Sequence, residues 1–308
     1  MFGKEPHSIH PEYQKYNVVS VSENDIKDNA RNIEVFTETM GLSLLNNSRK
    51  TQKIMWWMSI DFYYQGKVKD ICIRDLFKWN KKTCFEIFKY LLKNSCVNHR
   101  NEFDNRCSIR KIIESGCCFY YQCEYIKSFL VKLGVQDSLP LSDYINTDFY
   151  TSIQSFEKED IVLYNPAKGL DFTSRLIKKA PDINWIPIKN LNRNELRDLI
   201  SKAKLYIDFG NHPGKDRLPR ECAIAGCCII TGKRGSAGFI KDVNIPETYK
   251  FDEHLSDVET IIKRIRYVLK NYYECVSDFV QYRDGILREK QNFEKEVLSI
   301  FSIGESFN

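Results

Sequence analysis

The stretch DFGNHPGKDRLPRECAIAGCCIITGKRGSAG, residues 208–238, decides the fold because it combines a strand end, a loop and a helix start. Leu205–Phe209 is a short apolar run that predicts a buried strand, and residues 210–214 after it favour a loop. Pro219 suits the first turn of a helix and Gly226 suits the position just past its end, so a short helix is predicted between them. In open α/β sheets, ligands bind at loops that follow the carboxyl ends of strands.

A second loop follows the predicted helix and the next strand. Cys227–Thr231 is apolar and predicts that strand, and the glycine-rich residues 232–238 are expected to lie beside the first loop. Free backbone N–H groups and clustered cations suit a phosphate or diphosphate. One carboxylate, Glu221, faces the same region, and the cations of the two loops are Lys215, Arg217, Lys233 and Arg234.

Strands and helices alternate with short connections from Ile161 onward, which predicts a parallel, doubly wound sheet. The polar residues 147–160 precede this regular pattern, and we place a domain boundary there. The last helix is amphipathic and is expected to pack back against the N-terminal domain. The sequence thus predicts an abbreviated N-terminal α/β domain over 1–152, a Rossmann-like domain over 153–274, and a C-terminal helix, Cys275–Ile300, within 275–308.

Composition narrows the possible partners. The chain has 308 residues, 43% of them hydrophobic, and a net charge of +5 from 46 basic and 41 acidic residues. This mild excess favours anionic ligands, and no nucleic-acid partner is predicted. No apolar run reaches the roughly 18 residues of a membrane span and the N-terminus lacks a signal-peptide core, so a cytoplasmic location with reduced cysteines is expected. Residues 71–92 favour a basic, aromatic helix with either a solvated face or a peripheral contact with the inner face of a membrane.

Three short motifs occur in a fixed order along the second half. Lys168-Gly169 follows a predicted strand, Glu221–Gly226 precedes an apolar strand, and Gly235-Ser236-Ala237 lies in the last loop. In this order they resemble the donor-binding domain of GT-B glycosyltransferases, in particular the retaining group called family 4. The resemblance covers Leu163–Ala237. It implies two Rossmann-like domains that face each other across a cleft, with C-terminal helices bridging them.

The resemblance also implies a metal-independent glycosyltransferase without a cofactor, which takes a nucleotide-diphosphate sugar as donor and a glycan, lipid-linked or protein acceptor. It assigns the ribose to Glu221 and the diphosphate to Lys168. The predicted catalytic residues are Arg217 and Lys168, because cations stabilise a departing diphosphate. The predicted donor-binding residues are Glu221, Lys168, Lys215, Arg217, Gly214, His212, Gly235, Ser236 and Ala237.

The sequence departs from the family pattern at two places. The first glutamate of the family's Glu-x7-Glu segment falls on Pro213, and the arginine that precedes the Lys-Gly pair is absent. Arg217 is expected to supply the missing positive charge. The departures leave two alternatives open: an inactive nucleotide-sugar-binding or scaffold protein, or a GT-B-like enzyme that modifies the sugar nucleotide and needs no acceptor.

The N-terminal half offers candidates without a basis for choosing among them. Asp61, His99 and Asp104 are possible cleft residues, and no general base is assigned. Trp56 and Trp57 are consecutive in a predicted strand, so they point to opposite faces. Either both pack in the interior or one of them lines the cleft.

Overall fold

The structure, a computed structural model, describes residues 2–3, 8–9, 14, 16, 18–65, 109–146 and 157–301. The predicted helix at 71–92, the candidates His99 and Asp104, and the predicted boundary at 152/153 lie outside these residues. Within them, no helix is both long enough and apolar enough to cross a bilayer. The seven cysteines of the described ranges are free thiols, and all except Cys118 are buried.

The N-terminal domain contains a short parallel strand pair and a four-stranded parallel sheet. The pair consists of β1 (Phe2–Gly3) and β2 (Val21–Ser22). The sheet runs in chain order through β3 (Ile33–Thr37), β4 (Gln52–Trp57), β5 (Cys118–Tyr121) and β6 (Ser138–Pro140). The described helices around it are α1 (Gly41–Leu45), α2 (Ile60–Gln65), α3 (Ile109–Glu114) and α4 (Glu124–Lys132).

The C-terminal domain has a second four-stranded parallel sheet, as the alternating pattern predicted. Its strands are β7 (Glu159–Tyr164), β8 (Asn184–Pro187), β9 (Ala203–Asp208) and β10 (Cys228–Thr231). They lie in the order β10-β9-β7-β8, so the direction of winding reverses between β7 and β9. The helices are α5 (Leu170–Lys179), α6 (Arg193–Lys202), α7 (Arg217–Ile224) and α8 (Val258–Lys270).

Local sequence explains why α7 begins and ends where it does. Pro219 lies in its first turn, where the missing N–H is not needed, and Gly226 has φ of +86°, a value that favours glycine just past a helix end. The buried face of α7 carries Cys222 and Ala223, small residues that allow close packing on the sheet. The helix predicted between Pro219 and Gly226 is therefore confirmed.

Trp56 and Trp57 point to opposite faces of the N-terminal sheet, and both pack. Trp57 is fully buried, and its ring centroid lies 4.8 Å from that of Tyr63. Trp56 lies on the other face, where its Nε1 donates to the carbonyl of Leu141 at 2.7 Å. Its ring lies 6.4 Å from the ring of Phe293, in the last helix.

The C-terminal segment Cys275–Ile300 was predicted as one continuous helix, and this prediction is wrong because the helix is interrupted. The chain forms α9 (Tyr272–Cys275), a 3₁₀ turn at Val276–Phe279, α10 (Val280–Leu287) and α11 (Glu289–Phe301). The tighter 3₁₀ turn redirects the chain, because it advances with three residues per turn rather than 3.6. Val276, Phe279 and Val280 keep helical spacing through this turn, so the sequence pattern did not reveal the break.

Helix α11 covers the outer face of the N-terminal sheet, so the C-terminal helices bridge the two domains. Ile300, Phe293 and Val297 of α11 pack with Ile54 and Tyr120 of the sheet in one apolar cluster. The N–H of Ser142 donates to the carboxylate of Glu296 at 2.6 Å beside this cluster.

Loops of the C-terminal domain also contact the N-terminal domain directly. Asp242 accepts hydrogen bonds from the N–H groups of Glu124 and Tyr125 at 2.8 and 2.9 Å, which satisfies free donors at the start of α4. The N–H of Ile60 donates to the carbonyl of Pro213 at 2.9 Å. These bonds fix the distance between the two halves at the cleft.

The α11 contact predicts a specific loss of stability. Phe293→Ala removes the ring that packs on Trp56 and is expected to lower the free energy of unfolding by about 2 kcal/mol, less than for a fully buried phenylalanine. Urea unfolding measures the change. Leu298→Ala, on the exposed side of the same helix, should change stability by less than about 0.5 kcal/mol. Equal effects of the two substitutions would contradict the packing described here.

Candidate functional site

A cleft of about 670 Å³ opens where the winding of the C-terminal sheet reverses. The loop after β7 and the loop after β9 form one wall, which is the position where open α/β sheets bind ligands. Asp61 of the N-terminal domain contributes to the opposite side. The charged residues of the wall include Lys168, Arg175, Arg234 and Glu253.

The two loops touch without intervening side chains because glycines occupy the contact points. Gly169 has φ of +60°, and a Cβ there would lie 2.3 Å from the carbonyl oxygen of Phe209. A Cβ on Gly210 would lie 2.4 Å from the Cβ of Lys168. Both positions therefore require glycine. The Lys-Gly pair recognised in the sequence thus has a steric reason as well as a chemical one.

Lys168 projects from this contact into the cleft. Its ammonium forms an ion pair with the carboxylate of Asp216, and its side chain remains about one-third exposed. Arg234 enters from the second loop, where it is held 3.0 Å from Glu253 and donates to the carbonyl of Phe209. The cations of the cleft are therefore fixed by protein partners before any ligand arrives.

A chain of polar side chains connects Lys168 with the interior of the sheet. The Tyr206 hydroxyl donates to Asp208 at 2.7 Å, and Asp208 Oδ1 lies 3.4 Å from Nε2 of the fully buried His212. His212 Nδ1 lies 3.7 Å from Asp216 Oδ2, the atom that binds Lys168. Each ring nitrogen of His212 therefore faces a different carboxylate.

The charge of Asp208 is stabilised locally. Burial alone would raise the pKa of Asp208, but the facing His212 ring and the Tyr206 hydroxyl bring this pKa below its usual value. The N–H of Gly210 also donates to the carboxylate, at 2.8 Å. Burial and the neighbouring carboxylate raise the pKa of Tyr206 well above its usual value, so its hydroxyl remains a donor.

Asp208, His212 and Asp216 also place potential metal-ligand atoms within 4.8 Å of one another. The two carboxylates face different ring nitrogens, whose lone pairs diverge, which is unfavourable for a single ion. The Lys168 ammonium already neutralises Asp216. This arrangement is therefore unfavourable for a metal ion.

Glu221 and Arg217, predicted from the family resemblance, bind each other on α7. Arg217 Nε lies 3.0 Å from Glu221 Oε1, and their side chains are 69% and 3% exposed. Burial raises the pKa of Glu221, although the charges of Arg217 and Arg193 oppose this effect. Among the described residues of the cleft wall, neither Glu221 nor Arg217 appears.

Lys215 and Gly214 lie at the contact between the domains. The N–H of Lys215 donates to Gln122 Oε1 at 2.9 Å, and its ammonium lies 3.0 Å from Glu289. A Cβ on Gly214 would lie only 1.9 Å from the carbonyl oxygen of Met58. Both residues thus secure the loop against the other domain.

The second glycine-rich loop braces the first, which confirms that the two loops are adjacent. The N–H of Ser236 donates to the carbonyl of His212 at 2.9 Å, and its hydroxyl donates to the carbonyl of Gly214 at 2.6 Å. Gly235 packs on the His212 backbone, and Ala237 is fully buried. Of the predicted catalytic and donor-binding residues, Lys168 lies on the cleft wall, together with the loop cation Arg234 and the N-terminal candidate Asp61.

Sequence reasoning did not select Arg175, Asn211 or Glu253, which line the cleft with Lys168. Arg175 could have been selected from the sequence, because it follows the Lys-Gly pair closely in α5 and lies three positions after Phe172, on the same helix face. Its guanidinium stacks over the Phe172 ring at 5.2 Å. No sequence feature marked Glu253, because it follows the end of β10 by more than twenty positions and lies in an irregular segment.

The fold, but not the sequence, matches known proteins. No protein-family model and no curated protein matches the sequence. Two structures of TarM match it with TM-scores of 0.55 and 0.59 at 14% identity, over 91% and 92% of this chain. The second is a S. aureus TarM mutant in complex with UDP, alpha-GlcNAc-glycerol and fondaparinux. Sucrose-phosphate synthase from Thermosynechococcus elongatus matches with a TM-score of 0.58 at 12% identity, over 88% of this chain and 72% of its own.

The chain thus consists of two parallel-sheet domains that share a cleft at a topological switch point. Its fold is the GT-B fold, as the sequence resemblance predicted. The chain spans 56% and 57% of the length of the two TarM chains.

The contact between the loops predicts the effect of one added methyl group. Gly169→Ala is expected to cost about 1 to 3 kcal/mol more than Gly116→Ala, because both residues have positive φ but only Gly169 has no room for a Cβ. Gly116 has no heavy atom within 4 Å of that position and reports the backbone strain alone. Chemical unfolding of the two variants measures the difference, and equal losses would show that the loops do not touch.

The lowered pKa of Asp208 predicts a change in acid stability. A carboxylate with a lowered folded-state pKa stabilises the fold above its ordinary pKa of about 3.9, and this contribution is lost as the pH falls through the lowered value. Asp208→Asn should therefore be less stable than wild type at pH 7, by about 1 to 3 kcal/mol, and lose less stability between pH 5 and pH 2.

Denaturation by urea at several pH values tests this prediction. Asp137→Asn, at an exposed aspartate of the N-terminal domain, serves as the control and should behave like wild type. Parallel acid profiles for wild type and Asp208→Asn would refute the stabilising role of Asp208.

Proposed function

We propose that the protein is a glycosyltransferase that transfers a sugar from a nucleotide-diphosphate sugar to a glycan, lipid-linked or protein acceptor. The observation that carries this proposal is the cleft, whose wall combines Lys168, Arg175 and Arg234 with the first turn of α5. Cations beside a helix start bind phosphate oxygens through charge and through free N–H groups. The GT-B fold and the cleft volume support a ligand of nucleotide size.

Lys168 is the proposed contact to the diphosphate. An ammonium has three N–H donors, so Lys168 can keep its bond to Asp216 and still donate to phosphate oxygens. Negative charge builds up on the diphosphate as the bond to the sugar breaks, and a fixed cation at that place lowers the barrier. Arg234, held by Glu253, is placed to contribute in the same way.

Glu221 and Arg217 keep their proposed roles under one condition. Glu221 accepts the ribose hydroxyls only when its ion pair with Arg217 opens. Arg217 is largely exposed and can leave, but Glu221 is buried, so the ribose hydroxyls must take the place of the partner that its carboxylate loses. The freed guanidinium then supplies positive charge for the diphosphate. The residues His212, Gly214, Lys215 and Gly235–Ala237 act in this proposal by holding the loops in place.

The acceptor is proposed to enter from the N-terminal domain, and the reaction to proceed in the cytoplasm without a metal ion. Pro213 on the cleft wall favours the inactive nucleotide-sugar-binding protein as the alternative function, because its side chain offers no polar group to a sugar. A protein that binds the nucleotide sugar without transferring it, or one that modifies the sugar nucleotide, would use the same cleft.

Binding of nucleoside diphosphates tests the donor site. A thermal-shift panel of UDP, GDP, ADP, CDP, dTDP and CMP should reveal one diphosphate that stabilises the wild type, because a ligand that binds only the folded state raises its stability. Lys168→Gln should weaken that ligand about 10- to 100-fold by removing a charged hydrogen bond. Lys179→Gln, at the far end of α5 in a surface ion pair with Glu259, is the matched control.

The outcomes separate the alternatives. A folded sample that responds to none of the diphosphates at millimolar concentration contradicts the proposal, as does undiminished binding by Lys168→Gln. Diphosphate release from the matching nucleotide sugar, with product on an acceptor, supports transfer. Binding without release identifies an inactive binding protein, and a changed sugar nucleotide without acceptor identifies a modifying enzyme.

A further inference from the structure

Asp61 is a cleft carboxylate that comes from the N-terminal domain. It lies in the first turn of α2 and lines the same cleft as Lys168 and Arg234. Its two carboxylate oxygens lie 3.3 and 3.1 Å from Nδ2 of Asn211, which donates to it across the domain junction. The loop that carries Asn211 also carries the contact between Gly210 and Lys168.

The backbone just before Asp61 is held by two contacts with the loop after β9. The N–H of Ile60 donates to the carbonyl of Pro213 at 2.9 Å. The carbonyl of Met58 lies so close to Gly214 that a Cβ there would come within 1.9 Å of its oxygen. The backbone of residues 58–60 therefore lies directly on residues 213–214, which holds the backbone of Asp61 at the cleft.

The charges of the cleft limit what Asp61 can bind. Lys168 is paired with Asp216, and Arg234 is paired with Glu253. Asp61 differs, because within the described part of the chain its side-chain partner is the neutral amide of Asn211. A carboxylate without a cation repels phosphate groups and accepts hydrogen bonds from hydroxyls. Asn211 supplies one N–H, which leaves most of the acceptor positions of the two carboxylate oxygens available.

The ribose and the transferred sugar of the donor both carry such hydroxyls, and the proposed function already assigns those of the ribose to Glu221. Pro213 lies between Asn211 and Gly214 on the cleft wall and has neither an N–H nor a polar side chain. The loop after β9 thus holds Asp61 in place while contributing no carboxylate of its own at Pro213.

We infer that Asp61 binds a hydroxyl group of the transferred sugar and selects an uncharged sugar over one that carries a carboxylate. This inference rests on the proposed function and adds a contact to it. Lys168 and Arg234 hold the diphosphate from the C-terminal domain, and Asp61 holds the sugar from the N-terminal domain. The donor then spans the junction, so that only a nucleotide with its sugar attached engages both walls.

Calorimetric titration of UDP, UDP-glucose and UDP-glucuronic acid tests the inference. In Asp61→Asn the affinity for UDP-glucose should fall about tenfold, because a charged acceptor becomes a neutral one, while the affinity for UDP stays within about twofold. The wild-type preference for UDP-glucose over UDP-glucuronic acid should shrink in the same variant. Where a different diphosphate binds in the panel described above, its own neutral and uronic-acid sugars replace these ligands.

The matched control is Asp171→Asn, which removes a carboxylate of the same cleft at the start of α5. Its affinities for UDP and UDP-glucose should change together, so their ratio stays that of the wild type. An unchanged ratio in Asp61→Asn overturns the inference and leaves the proposed function intact. A parallel loss of UDP and UDP-glucose binding in Asp61→Asn also overturns it, since that result indicates a purely structural role. A wild type that binds no diphosphate overturns the proposed function and this inference together.

Discussion

The buried guanidinium of Arg220 is the interaction on which the arrangement of the two domains depends. Its side chain is 2% exposed and donates to Glu289 at 2.8 Å, to Asp143 at 2.9 Å, and to the backbone carbonyls of Lys215 and Asp216 at 3.0 and 3.1 Å. Burial alone would lower the pKa of Arg220, but the two carboxylates raise it. A buried charge is tolerated only with such complete pairing. One side chain of α7 therefore ties together the N-terminal domain, the last helix and the loop after β9.

The same loop connects this junction with the cleft. The backbone carbonyl of Asp216 accepts a hydrogen bond from Arg220, and its carboxylate forms the ion pair with Lys168. One residue thus contacts both the domain junction and the Lys168 ammonium. Gly214 and Asn211 contact the N-terminal domain a few positions earlier. A displacement of either domain would therefore move the Lys168 ammonium as well. The geometry of the cleft is a property of both domains and not of the C-terminal sheet alone.

Features that depend on neighbouring residues were predictable from the sequence, and features that depend on distant pairs were not. Pro219 and Gly226 marked the ends of α7 because turn and cap chemistry is local, whereas the Lys-Gly pair was identified through the family resemblance. By contrast, Arg220 meets partners 69 and 77 positions away, and Asp61 meets Asn211 across 150 positions. No periodicity signals such contacts. Among the residues of the cleft wall, the sequence identified Lys168, Arg234 and Asp61, but not Arg175, Asn211 or Glu253.

The ion pair between Lys168 and Asp216 explains why a site can be complete before its ligand binds. A free lysine side chain loses up to about 2 kcal/mol of conformational entropy when it is fixed, and a ligand that fixes it bears that cost. Here Asp216, backed by His212, already restricts the ammonium in the folded protein. The ion pair also prevents an unpaired charge in the partly buried cleft, which would be costly. Under the proposed function, the affinity for a diphosphate depends on how well the ligand shares Lys168 with Asp216, and the buried side chains behind Asp216 affect binding through that ion pair.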